Sequence, residues 1–189
     1  MTVRFTSAAR RAFSFLESIG FRLVRSEPAR LQYESAQTFV AIEWDARSGE
    51  LNLFIGLQPG KGGVRDSFSL RDMLAMENMD VLQRKLPFQA ADETKLGPFL
   101  NKMAEDVRTF APQALAGDRM FFRWLKTFRS AQAGAYMRDM ELRHVRAEAG
   151  KAWQKRDLDK LIILYSSIED QLSASEKAKL AFARKHRAR

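Results

Sequence analysis

The sequence contains no cysteine, which excludes a disulfide framework, a thiol nucleophile and any thiolate zinc site. Histidine is almost as scarce: His144 and His186 are the only two, too few for a histidine-built metal centre. Long apolar runs are missing too. The longest is Leu161 to Tyr165, far below the ~20 residues that cross a bilayer. The opening stretch, MTVRFTSAARRAFSF, carries Arg10 and Arg11 where a signal peptide needs its apolar core. A cytoplasmic protein with no membrane association is the expectation. What is present suits a folded protein: 46% of the 189 residues are hydrophobic and 29% charged, too apolar for disorder and long enough to bury a core.

Charge is distributed unevenly. The net +9 of the chain arises entirely from residues 119–189, which hold 17 basic and 8 acidic side chains. Residues 1–118 hold 15 of each and are neutral. Such asymmetry points to two parts with different partners, or to one part that meets an anionic surface. The plainer explanation is a helical tail whose lysines and arginines suit exposed helix positions.

Residues 1–90 read as an α+β region. Thr6 or Ser7 is placed to cap a helix whose apolar stripe is Ala9, Ala12, Phe13, Leu16 and Ile19, with Gly20 as its stop. Four β-like runs follow, at 21–26, 30–34, 38–45 and 50–58. Ala46 to Gly49 forms a hairpin turn between the last two. Val40, Ile42 and Trp44 share one face of the third run, opposite Phe39, Ala41, Glu43 and Asp45. Leu51, Leu53, Ile55 and Leu57 share a face of the fourth. This alternation is that of an antiparallel meander with one buried side, for which the first helix is the natural cover. A fifth short strand is expected near Asp66 to Phe68, ahead of a helix capped by Ser69.

Residues 91–189 read as helical, after a loop at 87–94. Gly97 and Pro98 open a helix with the stripe Leu100, Met103, Ala104, Val107 and Phe110, ending before Pro112. Gly117 and Asp118 mark a stop and a new cap. From Arg119, the residues Phe121, Trp124, Leu125 and Phe128 form one face, and Arg119, Arg123, Lys126 and Arg129 the opposite one. An unbroken helix to Arg156 would measure about 55 Å, so a break near Gly134 or Gly150 is expected. Asp157 caps a helix carrying Leu158, Leu161, Ile162, Tyr165 and Ile168. Ser173 and Glu176 form the S-x-x-E box of the last helix, which is expected to turn Ala178, Ala181 and Phe182 inward.

The stretch AEAGKAWQKRDLDKLIILYSSIEDQLSASEKAKLAFARK, residues 147–185, resembles a single tetratricopeptide-type unit. Ala149, Ala152 and Trp153 match that family's first helix, Arg156 and Asp157 its turn, and Leu158, Ile162 and Tyr165 its second helix. Arg156 stands where the family has glycine, and no second copy follows at the expected period. The resemblance therefore implies a helical hairpin and not a stacked, peptide-binding groove. Residues 1–118, with the strand motif VAIEWDARSGELNLFIGL at 40–57, are similar in element order to small bacterial proteins of uncharacterised or toxin-immunity type. That resemblance implies a partner protein; the stretch contains no catalytic motif, and element order alone does not carry function.

Candidate chemistry fails on spacing. Pro59-Gly60-Lys61-Gly62-Gly63 follows a strand, but a P-loop needs Ser or Thr after the lysine and a helix beyond it. Glu43 and Asp45 lie on one strand face without a further group to separate their roles. His144 has no ligand at helical spacing, His186 belongs to the basic terminus, and no serine lies in a G-x-S-x-G elbow. Neither an enzyme nor a cofactor is expected. The basic side chains remain: Arg119, Arg123, Lys126 and Arg129 on one helix, with Arg184, Lys185, Arg187 and Arg189 in the tail. Two functions use them. One is a non-enzymatic protein-binding module, immunity-like in type, for which an acidic partner would serve. The alternative is nucleic-acid binding through the basic helical face. Inhibition of a basic nuclease is disfavoured, because such an inhibitor should be acidic.

Overall fold

The computed structural model describes residues 3–59, 66–77, 89–90 and 94–187. Gly60 to Gly63 of the glycine-rich stretch, most of the loop at 87–94, and Arg189 lie outside the described residues. The chain divides into two compact units, Met1–Arg129 and Ser130–Arg189.

The first unit is α+β. Helices α1 (Val3–Ala12) and α2 (Phe15–Ser18) precede strands β1 (Arg22–Glu27), β2 (Arg30–Glu34), β3 (Thr38–Asp45), β4 (Glu50–Leu57) and β5 (Ser67–Ser69). The strands form an antiparallel sheet in the order β1-β2-β3-β4-β5. Helix α3 (Leu70–Glu77) follows. Ser69 caps it reciprocally: its Oγ accepts from the Asp72 amide, while Oδ2 of Asp72 accepts from the Ser69 amide. The β3–β4 turn closes with the Asp45 carboxylate accepting from the Arg47 amide at 2.8 Å and with Gly49 at φ 71°, a conformation glycine adopts without steric cost.

Three expectations need correction here. The first helix starts at Val3, not at a Thr6 or Ser7 cap, because Phe5 extends the stripe backwards into the core at 1% exposure. It breaks at residues 13–14, and Ile19 ends up exposed. The sheet is not buried on one side only, since Phe39 and Ala41 are buried as thoroughly as Val40 and Ile42. The Phe39 ring lies so close over Gly56 that a Cβ there would come within 2.7 Å of it.

Helices α4 (Leu96–Phe110), α5 (Pro112–Leu115) and the start of α6 (Arg119–Gln154) complete this unit. Leu96, Leu100, Met103, Val107, Phe121 and Leu125 belong to the same core as α1 and the sheet. The Thr38 hydroxyl reaches α5, donating to the Leu115 carbonyl at 3.1 Å. Composition suggested a boundary near residue 90, whereas the compact unit runs to Arg129, because the apolar side of α1 and the sheet needs these helices as cover. Gln89 and Ala90, within the expected loop, are tied to the β3–β4 hairpin.

Helix α6 continues without the break expected at Gly134 or Gly150. A helical glycine costs about 1 kcal/mol against alanine, which a long helix tolerates. The second unit contains the rest of α6 with α7 (Leu158–Ser166), a 3-10 turn (Glu169–Gln171) and α8 (Ala174–His186). Its core is Ala149, Ala152, Leu161, Tyr165, Ile168, Leu172, Leu180 and Ala183. Asp157 caps α7 by accepting from the Lys160 amide, and the Ser173–Glu176 box caps α8. The inward face of α8 differs from expectation: Leu180 and Ala183 are buried, while Ala178, Ala181 and Phe182 are exposed. Among the described residues no helix is long and apolar enough to cross a membrane.

Candidate functional site

The basic side chains singled out by spacing do not act as one set. Lys126 and Arg129 both turn to Asp66, just before β5, at 3.5 and 3.0 Å. Arg129 also donates to the Ser67 carbonyl and lies over the Phe68 ring, 4.3 Å from its centroid. It therefore flanks the core face of α6 instead of opposing it. In the second unit Arg184 grips Glu169 with both terminal nitrogens, at 2.8 and 2.7 Å, and donates to the Ser166 hydroxyl. That contact holds the Glu169 carboxyl below its ordinary range. Arg187 pairs with Asp159 at 2.8 Å. Cations at the end of α8 also complement the partial negative charge of a helix C-terminus, so Arg184 and Arg187 have structural roles.

Arg119, Arg123 and Lys185 are different. Among the described residues none of the three has a carboxylate partner. Arg119 and Arg123 stand at the N-terminal end of α6, where the helix dipole disfavours cations. They are also one turn apart, a spacing at which like charges repel by a few tenths of a kcal/mol, about 0.2–0.5. Local structure does not account for them. The Asp118 carboxylate at that terminus is used as the cap, accepting from the Met120 amide at 2.8 Å.

The same turns of α6 carry a side chain the periodicity misplaced. Trp124 was expected in the core, yet it is 59% exposed. The buried face is Phe121, Phe122 and Leu125, with Phe128 packed at its edge and Phe122 set against Phe68 at 5.9 Å. Met120, one turn before Trp124, is 46% exposed. Spacing alone could not show this, since Trp124 stands three residues from Phe121 and four from Phe128, on their stripe; the packing of Phe122 against Phe68 turns the buried face away from it. An indole, a thioether and two unpaired guanidinium groups thus share the first turns of α6.

Glu43 and Asp45 each have partners of their own. Glu43 pairs with Arg30 across the strands at 3.1 Å. The backbone amide of Arg47 and the Ser48 side chain hold the Asp45 carboxyl below its usual range. His144 is exposed on α6, whereas His186 stacks on Phe182 with ring centroids 4.3 Å apart. Among the described residues no three His, Asp or Glu side chains gather in a way that could hold a metal ion. Compared with known protein families, curated proteins and solved structures, the chain matches none.

Proposed function

We propose that the chain is a non-enzymatic binding module that docks an acidic protein surface on the first turns of α6. The observation that carries this reading is Trp124, exposed on the same turns of α6 as Arg119 and Arg123, which have no carboxylate partner among the described residues. Tryptophan and arginine dominate the energetically decisive positions of protein interfaces. Arginine adds bidentate recognition of carboxylates. An indole supplies apolar area that is favourable to bury, and Met120 extends it with an adaptable thioether. The immunity-type resemblance of residues 1–118 fits the same reading, with the partner an acidic protein held in a stoichiometric complex.

Nucleic-acid binding is less well supported, because Asp66 occupies two of the four cations in the basic stripe and places a carboxylate inside it. The test is affinity capture from the native cell with the parent chain, Trp124→Ala and Arg123→Glu in parallel. The expected result is one acidic protein recovered in stoichiometric amount by the parent and lost from both variants. Recovery of the same proteins by all three baits would overturn the proposal. So would capture of nucleic acid with a binding constant that falls steeply with salt.

A further inference from the structure

The second unit contains a cavity of about 560 Å³ lined by Trp153, Gln154, Arg156, Leu158, Phe182 and His186, within the size range of small-molecule sites. Its walls are aromatic. Trp153 and Phe182 meet edge to face at 5.6 Å, and Phe182 stacks on His186. Phe182 nonetheless stays 48% exposed, leaving ring surface uncovered. The lining residues include Arg156 and no carboxylate. The Lys179 ammonium lies 5.7 Å from the Trp153 ring centroid and adds positive potential nearby.

Arg156 is also a backbone outlier. Among the described residues it alone, glycines apart, has a positive φ, at 57°. It sits where α6 ends, with the Asp157 amide donating back to the Ala152 carbonyl at 2.9 Å. Helices commonly place glycine at such a position, where a side chain is sterically disfavoured. The backbone bonds of the helix end hold this conformation, while the Arg156 guanidinium has no ion pair or hydrogen bond among the described residues. Strained residues of this kind cluster at ligand sites.

We infer that this cavity binds a small planar anion, an aromatic ring bearing a carboxylate or a phosphate. The ring lies against Trp153 and Phe182, and the anionic group is held by Arg156. This site is separate from the surface around Trp124, and the inference does not depend on the protein-docking proposal.

The test titrates the full-length chain with naphthoate and with adenosine monophosphate, which separate the carboxylate from the phosphate source. Naphthylmethanol and adenosine serve as uncharged counterparts. Binding is followed by calorimetry and by the indole NMR signal of Trp153, assigned with Trp153→Phe. At least one anion is expected to shift that signal and to bind about tenfold more tightly than its counterpart, the scale of one hydrogen bond to a charged group. Arg156→Gly should lose that advantage while its melting temperature rises, which separates loss of the ligand contact from loss of fold. Absence of binding by both anions at millimolar concentration would overturn the inference, as would equal binding by Arg156→Gly.

Discussion

Arg129 places Nη2 3.0 Å from Oδ1 of Asp66 and Nη1 2.9 Å from the Ser67 carbonyl oxygen. One carboxylate just ahead of β5 thereby withdraws Arg129, and with it Lys126, from the basic stripe on α6. What is left for a visiting anion is the pair Arg119 and Arg123. The charge polarity of the sequence weakens in the same way. The units divide after Arg129, so the four cations of residues 119–129 count with the sheet, and both units carry a net positive charge.

Substituting Asp66 by Ala should release both cations at little cost. The pairs are about half exposed, and exposed pairs contribute about 0–1 kcal/mol. Urea denaturation is expected to show a loss within that range, while affinity for an acidic partner increases as two further cations become available. A loss of affinity would mean that Asp66 itself belongs to the docking surface.

Gly56→Ala should be far more disruptive than its single methyl suggests. The new Cβ would lie 2.5 Å from the Asp66 carbonyl oxygen and 2.7 Å from two atoms of the Phe39 ring. Neither the Asp66 backbone nor a buried ring yields freely, so a destabilisation of about 1–3 kcal/mol is expected. Equilibrium denaturation of the variant measures it, and a neutral result would contradict the close packing of Phe39 over β4.

Ser173→Ala tests the cap of α8. The Ser173 hydroxyl accepts from the Glu176 amide, and the Glu176 carboxylate accepts from the Ser173 amide at 2.7 Å. Loss of half of such a box costs about 1 kcal/mol. The effect should appear in hydrogen exchange as faster exchange confined to the first turns of α8.

Acid should destabilise the second unit through Glu148. Hydrogen bonds from Lys151 on α6 and Lys160 on α7 lower its carboxyl from 4.5 to about 2. A depressed value in the folded state means that the stabilisation is present above 4.5 and is lost as pH falls toward about 2. Glu169, lowered by Arg184, and Glu176, lowered by the Ser173 amide, act in the same direction. Denaturation midpoints followed by Trp153 fluorescence should therefore decline across that window, and Glu148→Gln should flatten the decline. An unchanged slope in the variant would show that the two lysines do not stabilise the folded state through Glu148.

The sheet was legible because its information is local. The alternation of Val40, Ile42 and Trp44 against Leu51, Leu53 and Ile55, with Gly49 at the turn, specifies register over a few residues. Caps at Ser69, Asp118, Asp157 and Ser173 were legible for the same reason: each is a side chain meeting an amide two or three positions away. The interaction site was only half legible. Spacing identified Arg119 and Arg123, but it assigned Trp124 to the core and could not see that Asp66, some 60 residues from Arg129 in the chain, would neutralise part of the stripe.

The amino-acid sequence alone determined the strand order of local hairpins, the capped helix starts at Ser69, Asp118, Asp157 and Ser173, and the exclusion of thiol chemistry. All of these depend on neighbours within one turn or one hairpin. Tertiary structure decided which face of α6 and α8 is buried, how far the first unit extends, and which cations stay unpaired. Those outcomes rest on contacts between residues distant in the chain, where burial of one aromatic over another and the reach of one carboxylate outweigh any local preference.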